Sequence, residues 1–197
     1  EAFARMADVS RETTDRLARH LDLLRRWQKR INLVGAATLA DPWRRHMLDS
    51  AQLAPLIPAG ARLADLGSGA GFPGLVLAIL RGGPVHLIES DARKAAFLHE
   101  AVRATGAPAE VHNARAENLE LRANVVTARA CAPLDRLLGL ALPLLAPGGI
   151  CLFLKGARVE EELAVARRRW RMTVRRRRSR SAPEGVVLEL GGLAHAG

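Results

Sequence analysis

The sequence predicts an α/β domain: a mostly parallel seven-stranded sheet that ends in an antiparallel hairpin and is preceded by a helical cap. Three observations predict it. Five short apolar runs alternate with helical segments between residues 62 and 169. Two more strand-like runs follow, 171–178 and 186–190, with only SAPEG between them. The first 60 residues instead space their apolar side chains for helices. The expected division is a cap over 1–60 and a core over 61–197, forming one compact unit. A chain of 197 residues suits a single domain.

In the cap, Ser10 is placed to cap a helix running through Leu17, Leu21, Leu24 and Trp27. Asp41-Pro42 starts a second helix, which carries Met47, Leu48 and Ala51 until Pro55 ends it. In the core, the strand candidates are 62–66, 85–89, 109–113, 124–130 and 151–155. The intervening helices are expected at 73–81, 91–105, 134–145 and 159–169. Near-continuous apolar strands joined by helices imply a parallel sheet covered on both faces. No helix fits into SAPEG, so the last two strands must pair antiparallel.

Composition narrows the setting. No run approaches the roughly 18 apolar residues of a membrane span, so no membrane partner is expected. Two cysteines, Cys131 and Cys151, are too few for a disulfide framework, and a reducing cytoplasm is the simplest setting. Thirty Lys and Arg face 20 acids, for a net charge of +10. The window 167–180 holds nine arginines and no acid, so the excess is local. A local basic stripe suits a phosphate backbone; the plainer reading is a solvated edge in an Arg-rich protein. A second basic group is Arg25, Arg26, Lys29, Arg30 and Arg44. There is no tyrosine, so stacking platforms for RNA bases are scarce. Phe72 and Trp27 are the candidates.

The chemistry concentrates in Asp65-Leu-Gly67-Ser-Gly69-Ala-Gly71-Phe-Pro-Gly74. It follows a strand and opens a helix, where glycines let a ligand approach the backbone. Glu89 ends the next strand, placed to accept hydrogen bonds from a ribose diol. Together they predict a nucleoside-containing cofactor. Gly69 to Gly74 also fits the dinucleotide pattern GxGxxG, so a nicotinamide enzyme has to be weighed. Asp65 argues against it: a carboxylate beside the loop suits the cationic methionine amine of S-adenosylmethionine (AdoMet) and repels pyrophosphate. The terminal hairpin also looks like the sheet of class I AdoMet-dependent methyltransferases, a Rossmann-like fold.

At finer grain the chain resembles the RsmG (GidB) family of bacterial 16S rRNA guanine-N7 methyltransferases. The resemblance rests on WQKRINLVG (27–35), RHMLDS (45–50), DLGSGAGFPG (65–74), RAE (115–117), ARA (128–130) and LKG (154–156), in order along residues 20–190. It implies methyl transfer from AdoMet to N7 of one guanine, the family's position being guanine 527. It implies that Gly67 and Phe72 line the methionine side, that Glu89 holds the ribose, and that Ala116 and Glu117 border the adenine. Arg129 would sit at the junction of cofactor and substrate, with His46 and Asp49 closing over the site. The cofactor-binding set is thus Asp65, Gly67, Gly69, Gly71, Phe72, Glu89, Ala116, Glu117 and Arg129; the catalytic set is Arg129, Lys155, His46 and Asp49. The implied partner is 16S rRNA, as naked RNA, assembly intermediate or small subunit, met by a monomer.

The residues after the fourth strand, Ala128-Arg-Ala-Cys-Ala-Pro133, lack the Asp/Asn-Pro-Pro-aromatic element of exocyclic-amine methyltransferases. Guanine N7 has an in-plane lone pair and no proton to lose, so alignment and electrostatics suffice. Arg129 or Lys155 could contact guanine O6 or a phosphate. Cys131 could be a nucleophile or a small buried hydrophobe. His46 and Asp49, one turn apart, have no third ligand, so no metal is expected; they could instead be an orienting pair on a helix face. Another AdoMet-dependent RNA methyltransferase, or a non-catalytic RNA-binding module, remains the alternative.

Overall fold

Seven strands pair in the order β3-β2-β1-β4-β5-β7-β6. The computed structural model describes Phe3 and residues 9–196. The strands are β1 Leu63–Leu66, β2 Val85–Ile88, β3 Ala109–His112, β4 Ala123–Arg129, β5 Leu145–Lys155, β6 Trp170–Arg178 and β7 Val186–His195. The first five run parallel; β7 is antiparallel to β5 and β6. The helices are α1 Arg11–Gln28, α2 Asp49–Ala51, α3 Gly74–Arg81, α4 Ala92–Thr105, α5 Leu134–Ala141 and α6 Val159–Ala166.

Strand alternation divides the apolar interior in two. Leu63, Val125, Leu152 and Val187 pack on one face of the sheet with Leu17, Leu21 and Leu24 of α1, Leu77 of α3 and Phe97 of α4. Ala64, Leu66, Val126, Phe153 and Leu188 pack on the other with Leu137 and Leu138 of α5 and Leu163 of α6. The N-terminal helix therefore shares a core with the sheet. Ser10 caps α1 by accepting from the Thr13 N–H. Arg16 reaches across to donate to the carbonyls of Thr105 and Gly106 at the end of α4. Those carbonyls are orphans of a helix end, and a guanidinium there is favourable.

Several expected boundaries shift. The segment after Asp41-Pro42 is not one regular helix. It winds as a π-turn over Trp43–Leu48, then α2, then a 3-10 turn Ala54–Leu56. The wider turn buries three successive residues, His46, Met47 and Leu48, which one face of an α-helix does not allow. The helix expected over 134–145 ends at Ala141, because Pro143 tightens the chain into a 3-10 turn. β5 begins earlier than expected, bulging between its first and later pairings with β4. α6 stops at Ala166, so Arg167–Arg169 lie beyond the helix rather than on it. β7 runs on to His195. The sheet is not covered on both faces at its β3 edge: between β3 and β4 lies only the 3-10 turn Ala116–Asn118, and no residue of β3 is fully buried.

Candidate active site

The glycine loop leaves β1 and turns sharply into α3. Gly67 and Gly69 both sit at positive φ, 62° and 52°. A Cβ on Gly67 would run into the Cys131 sulfur, so the loop passes β4's end as bare backbone. Gly74 starts α3 where a Cβ would lie 2.6 Å from Asp65 and 2.5 Å from Leu87.

A cavity of about 1250 Å³ opens over the carboxyl ends of β1, β2, β4 and β5. That is where ligands sit in open α/β sheets. Its floor is the Gly67–Ala70 loop with Glu89; one wall is Arg129–Pro133 and another is Lys155–Arg158. The cap contributes Thr38, His46 and Asp49, and the β6–β7 turn closes the far side. Glu89 is buried, with Oε2 accepting from Gly69 N–H at 2.9 Å and Oε1 from Asp91 N–H at 2.8 Å. Each oxygen keeps a lone pair for a ligand hydroxyl.

Phe72 lies at the centre of the cap side. His46 stacks on it at 4.7 Å and 14°, and the Arg129 guanidinium lies 4.9 Å from its centroid. His20 tilts against it from α1. Phe72 is only 3% exposed, so it lines the cavity without offering a face to an RNA base. Trp27, the other stacking candidate, is tied to Glu100 through its Nε1 and packs edge-on against Phe97.

Arg129 Nη1 donates to the Arg45 carbonyl at 3.0 Å and meets Asp49 Oδ2 at 3.4 Å. Burial lowers its pKa, opposed by Asp49 and Asp65. Asp49 Oδ1 also accepts from Ser181 and from Gln52, and Gln52 in turn accepts from the Arg180 N–H. Asp49 therefore pins the β6–β7 turn to the cap. The Lys155 side chain is 8% exposed, its ammonium 2.6 Å from Glu162 and 3.0 Å from the Ala132 carbonyl. Its charge is committed to the protein.

Four residues of the expected cofactor set do not reach the cavity. Gly71, Ala116 and Glu117 lie outside its lining. Asp65 is fully buried: Thr127 donates to Oδ1 at 2.7 Å and Gly74 N–H donates to Oδ2 at 3.1 Å. Its place is under the loop, holding both ends of it. Cys131 lines the cavity beside Gly67, with its thiol pKa raised by burial and by Asp65 and Glu89, the opposite of an activated nucleophile.

Other contributors were not singled out in the sequence, although Gln28 to Gly35 lie within WQKRINLVG. Gln28 accepts from the N–H groups of Leu33 and Val34 and donates to the Val34 carbonyl, shaping the strip that brings Gly35 and Thr38 to the cavity. Thr38 donates to the Gly35 carbonyl, so its oxygen accepts from His46 Nε2 at 2.9 Å. His20 Nε2 donates to the Ala70 carbonyl. Both Nδ1 atoms are buried without a partner among the described residues.

Burial brings His20 down to about 4, and burial with Arg129 and Arg45 brings His46 to about 3, from an ordinary 6.5. Burial raises Asp65 from 3.8 to about 6. Below pH 6.5 the unfolded histidines take up protons that the folded ones refuse, so stability rises with pH from about 4 to 6.5. Asp65 works in reverse: folded, it holds its proton from pH 3.8 to about 6, so its contribution falls as pH rises. Two histidines oppose one aspartate, and the melting temperature is expected to climb between pH 4 and 6.5. Thermal unfolding across that range checks the sign; a fall would mean Asp65 dominates.

The sheet order, the glycine loop after β1 and the buried acid after β2 define a class I methyltransferase. Solved structures agree on the fold: M. jannaschii TYW2 in complex with AdoMet has a TM-score of 0.61 at 14% identity, over 85% of this chain and 80% of that one. The fibrillarin–Nop5p complex gives 0.57 at 15%, over 76% and 82%. The family model described as rRNA small subunit methyltransferase G (GidB) matches residues 13–184. The chain is 57% identical over 192 residues to the ribosomal RNA small subunit methyltransferase G of Paramagnetospirillum magneticum, covering 96% of this chain and 94% of that protein. It is 54% identical over 198 residues to the same-named protein of Rhodospirillum rubrum, covering 100% and 98%. The chain belongs to the GidB family.

Proposed function

We propose that the chain transfers the methyl group of AdoMet to N7 of one guanine in 16S rRNA. The observation that carries this is Glu89, buried at the end of β2, tied to the Gly69 N–H and facing the cavity. The names of the family and of the two relatives supply the substrate class.

The residues present fit AdoMet. The backbone at Gly67 and Gly69 leaves room for close approach, and Glu89 keeps acceptor capacity for a ribose diol. AdoMet supplies an electrophilic methyl on a sulfonium. The cavity exceeds what a small ligand needs, leaving space for a base beside it. Guanine N7 needs no general base, so the chain's task is to hold the base edge-on. Arg129 retains its Nη2 and Nε donors for guanine O6 or a phosphate, while its Nη1 is spent on the cap. Phe72 and His46 fix the guanidinium's plane. Lys155 acts through Glu162, which also accepts from the Leu134 N–H and so holds the wall after β4. Asp49 is a positioning residue, since it clamps the β6–β7 turn. Neutral His46 stacks without adding charge beside a sulfonium.

The substrate approaches along β6. This strand is the outer edge of the sheet, and it leads straight into the turn that walls the cavity. Its arginines are not equivalent. Arg175 and Arg177 share Glu189 and Arg176 meets Glu160, while Arg169, just before the strand, meets Asp135. Arg171 and Arg178 make no ion pair among the described residues, so they have charge to spend on phosphates. Replacing Arg171 and Arg178 with Ser is expected to weaken RNA binding at every sequence and to lower the salt slope by about one per residue. Replacing Arg175 and Arg177 should do less. Filter binding over a salt series checks this; equal effects would make the whole strand one diffuse patch. A monomer acting on ribosomal RNA in the cytoplasm completes the reading; no helix among the described residues is long and apolar enough to cross a membrane.

The deciding experiment is transfer of labelled methyl from AdoMet to small-subunit RNA lacking the modification, as naked RNA and as subunits, with the site mapped by cleavage at 7-methylguanine. Label at one guanine N7 is expected. Label on another atom keeps the methyltransferase and overturns the N7 assignment. AdoMet binding without transfer to either substrate would favour a non-catalytic RNA-binding role.

A further inference from the structure

The edge of the sheet farthest from β6 carries a second cluster of chemistry-bearing side chains. The connection after β3 carries no α-helix, which leaves that end of the sheet open on the face that Ile88 shares with α5 and α6. Strand alternation puts His86 on the face of Ile88. The parallel register sets His86 opposite Glu110 and Ile88 opposite His112. All three side chains therefore stand on the open face. His86 Nδ1 and His112 Nε2 lie 2.9 Å apart. Glu110 Oε2 is 3.5 Å from the first nitrogen and Oε1 is 3.8 Å from the second.

We propose that His86, Glu110 and His112 bind a divalent first-row transition metal ion of the zinc type, held between β2 and β3. Two imidazoles and a carboxylate are a donor set such ions accept. Ligand atoms about 2.1 Å from a tetrahedral ion stand roughly 3.4 Å from one another. With one oxygen taken from Glu110, the three ligand atoms lie within 4.8 Å of one another, and a swing of the exposed carboxylate seats an ion. Without one, the two facing nitrogens have a single proton to share between two lone pairs. An ion takes that proton's place and accepts both lone pairs. The histidine side chains are 23% and 19% exposed and Glu110 is 68% exposed, so the first two are held by the sheet while the third swings in. A fourth position is left for water. Arg62 is a cation close enough to His86 to oppose its protonation, and it opposes the ion as well. With only three protein ligands, the site's affinity falls below that of a closed structural zinc site. Its consequence is local: it ties the outermost parallel strand to its neighbour.

The test uses the untagged full chain, freed of metal, with zinc alone as the probe. Calorimetry is expected to show one zinc per chain. The double variant His86→Gln/His112→Gln should show none at concentrations that saturate the wild type. Glu110→Gln, at an exposed position where the fold should be kept, should weaken binding on its own. Cobalt in place of zinc should give a spectrum without thiolate charge transfer. No stoichiometric zinc in the wild type, equal binding by all variants, or a thiolate band from Cys131 would each overturn the proposal.

Discussion

Asp65→Ala is expected to lower the melting temperature by roughly 10 °C and to abolish measurable AdoMet binding. The carboxylate is fully buried and accepts from Thr127 on β4 and from the Gly74 N–H at the start of α3. Truncation leaves both donors in the core without an acceptor, at about 1–3 kcal/mol each. The sum is about 2–6 kcal/mol, and each kcal/mol moves a domain of this size by about 2–4 °C. Cofactor binding goes with it, because the loop from Gly67 to Gly71 is strung between Asp65 and Gly74. Asp65→Asn separates scaffold from contact. An amide can accept from Gly74 and donate to the Thr127 oxygen, so it should fold nearly as well and keep most of the AdoMet affinity. An Asn variant that folds normally yet binds no AdoMet would restore a direct role for the charge at the methionine amine.

The contrast shows what a sequence pattern carries. Acid-x-Gly-x-Gly states that an acid lies next to the loop; it does not state where the side chain points. Alternation along β1 already held the answer: Asp65 shares its face with Leu63, against α3, in a strand covered on both sides. The glycine loop and Glu89 were legible because each belongs to one strand end and the turn beyond it. The walls were not. The turn Ser179–Gly185 reaches the cavity only because β7 inserts between β5 and β6. Asp49 was legible as a residue near the site, yet its partners Ser181 and Arg129 lie 132 and 80 residues away. The His86–Glu110–His112 cluster depends on the register of two parallel strands and on a helix that never forms after β3. Seven strands in order were readable from period and punctuation; the π-turn at Trp43–Leu48 was not, since Asp41-Pro42 announces a helix without announcing its pitch.

Arg129→Lys should cut the rate of methyl transfer at saturating AdoMet and RNA by about a hundredfold, with AdoMet affinity changed little. The guanidinium is doing two geometric jobs. Its Nη1 holds the Arg45 carbonyl and faces Asp49, which locks the cap to the end of β4. Its Cζ lies over the Phe72 ring at 4.9 Å, and His46 stacks on that ring from the cap. Lysine keeps the charge beside Asp49 and loses the fork and the guanidinium's contact with the ring. The cap then keeps its place through the Asp49–Ser181 and Gln52–Arg180 bonds, and thermal stability should fall by only a few degrees. What changes is the direction of the remaining donors toward the base. A displacement of about 1 Å is enough to cost a hundredfold in an aligned transfer. Arg129→Ala adds a stability loss, because half-buried Asp49 loses its countercharge. The lysine variant decides the role. A rate that falls while AdoMet affinity and melting temperature hold places Arg129 on the substrate side. A matching loss of AdoMet affinity would move it to the cofactor, and a rate loss explained wholly by unfolding would leave it as a strut between cap and sheet.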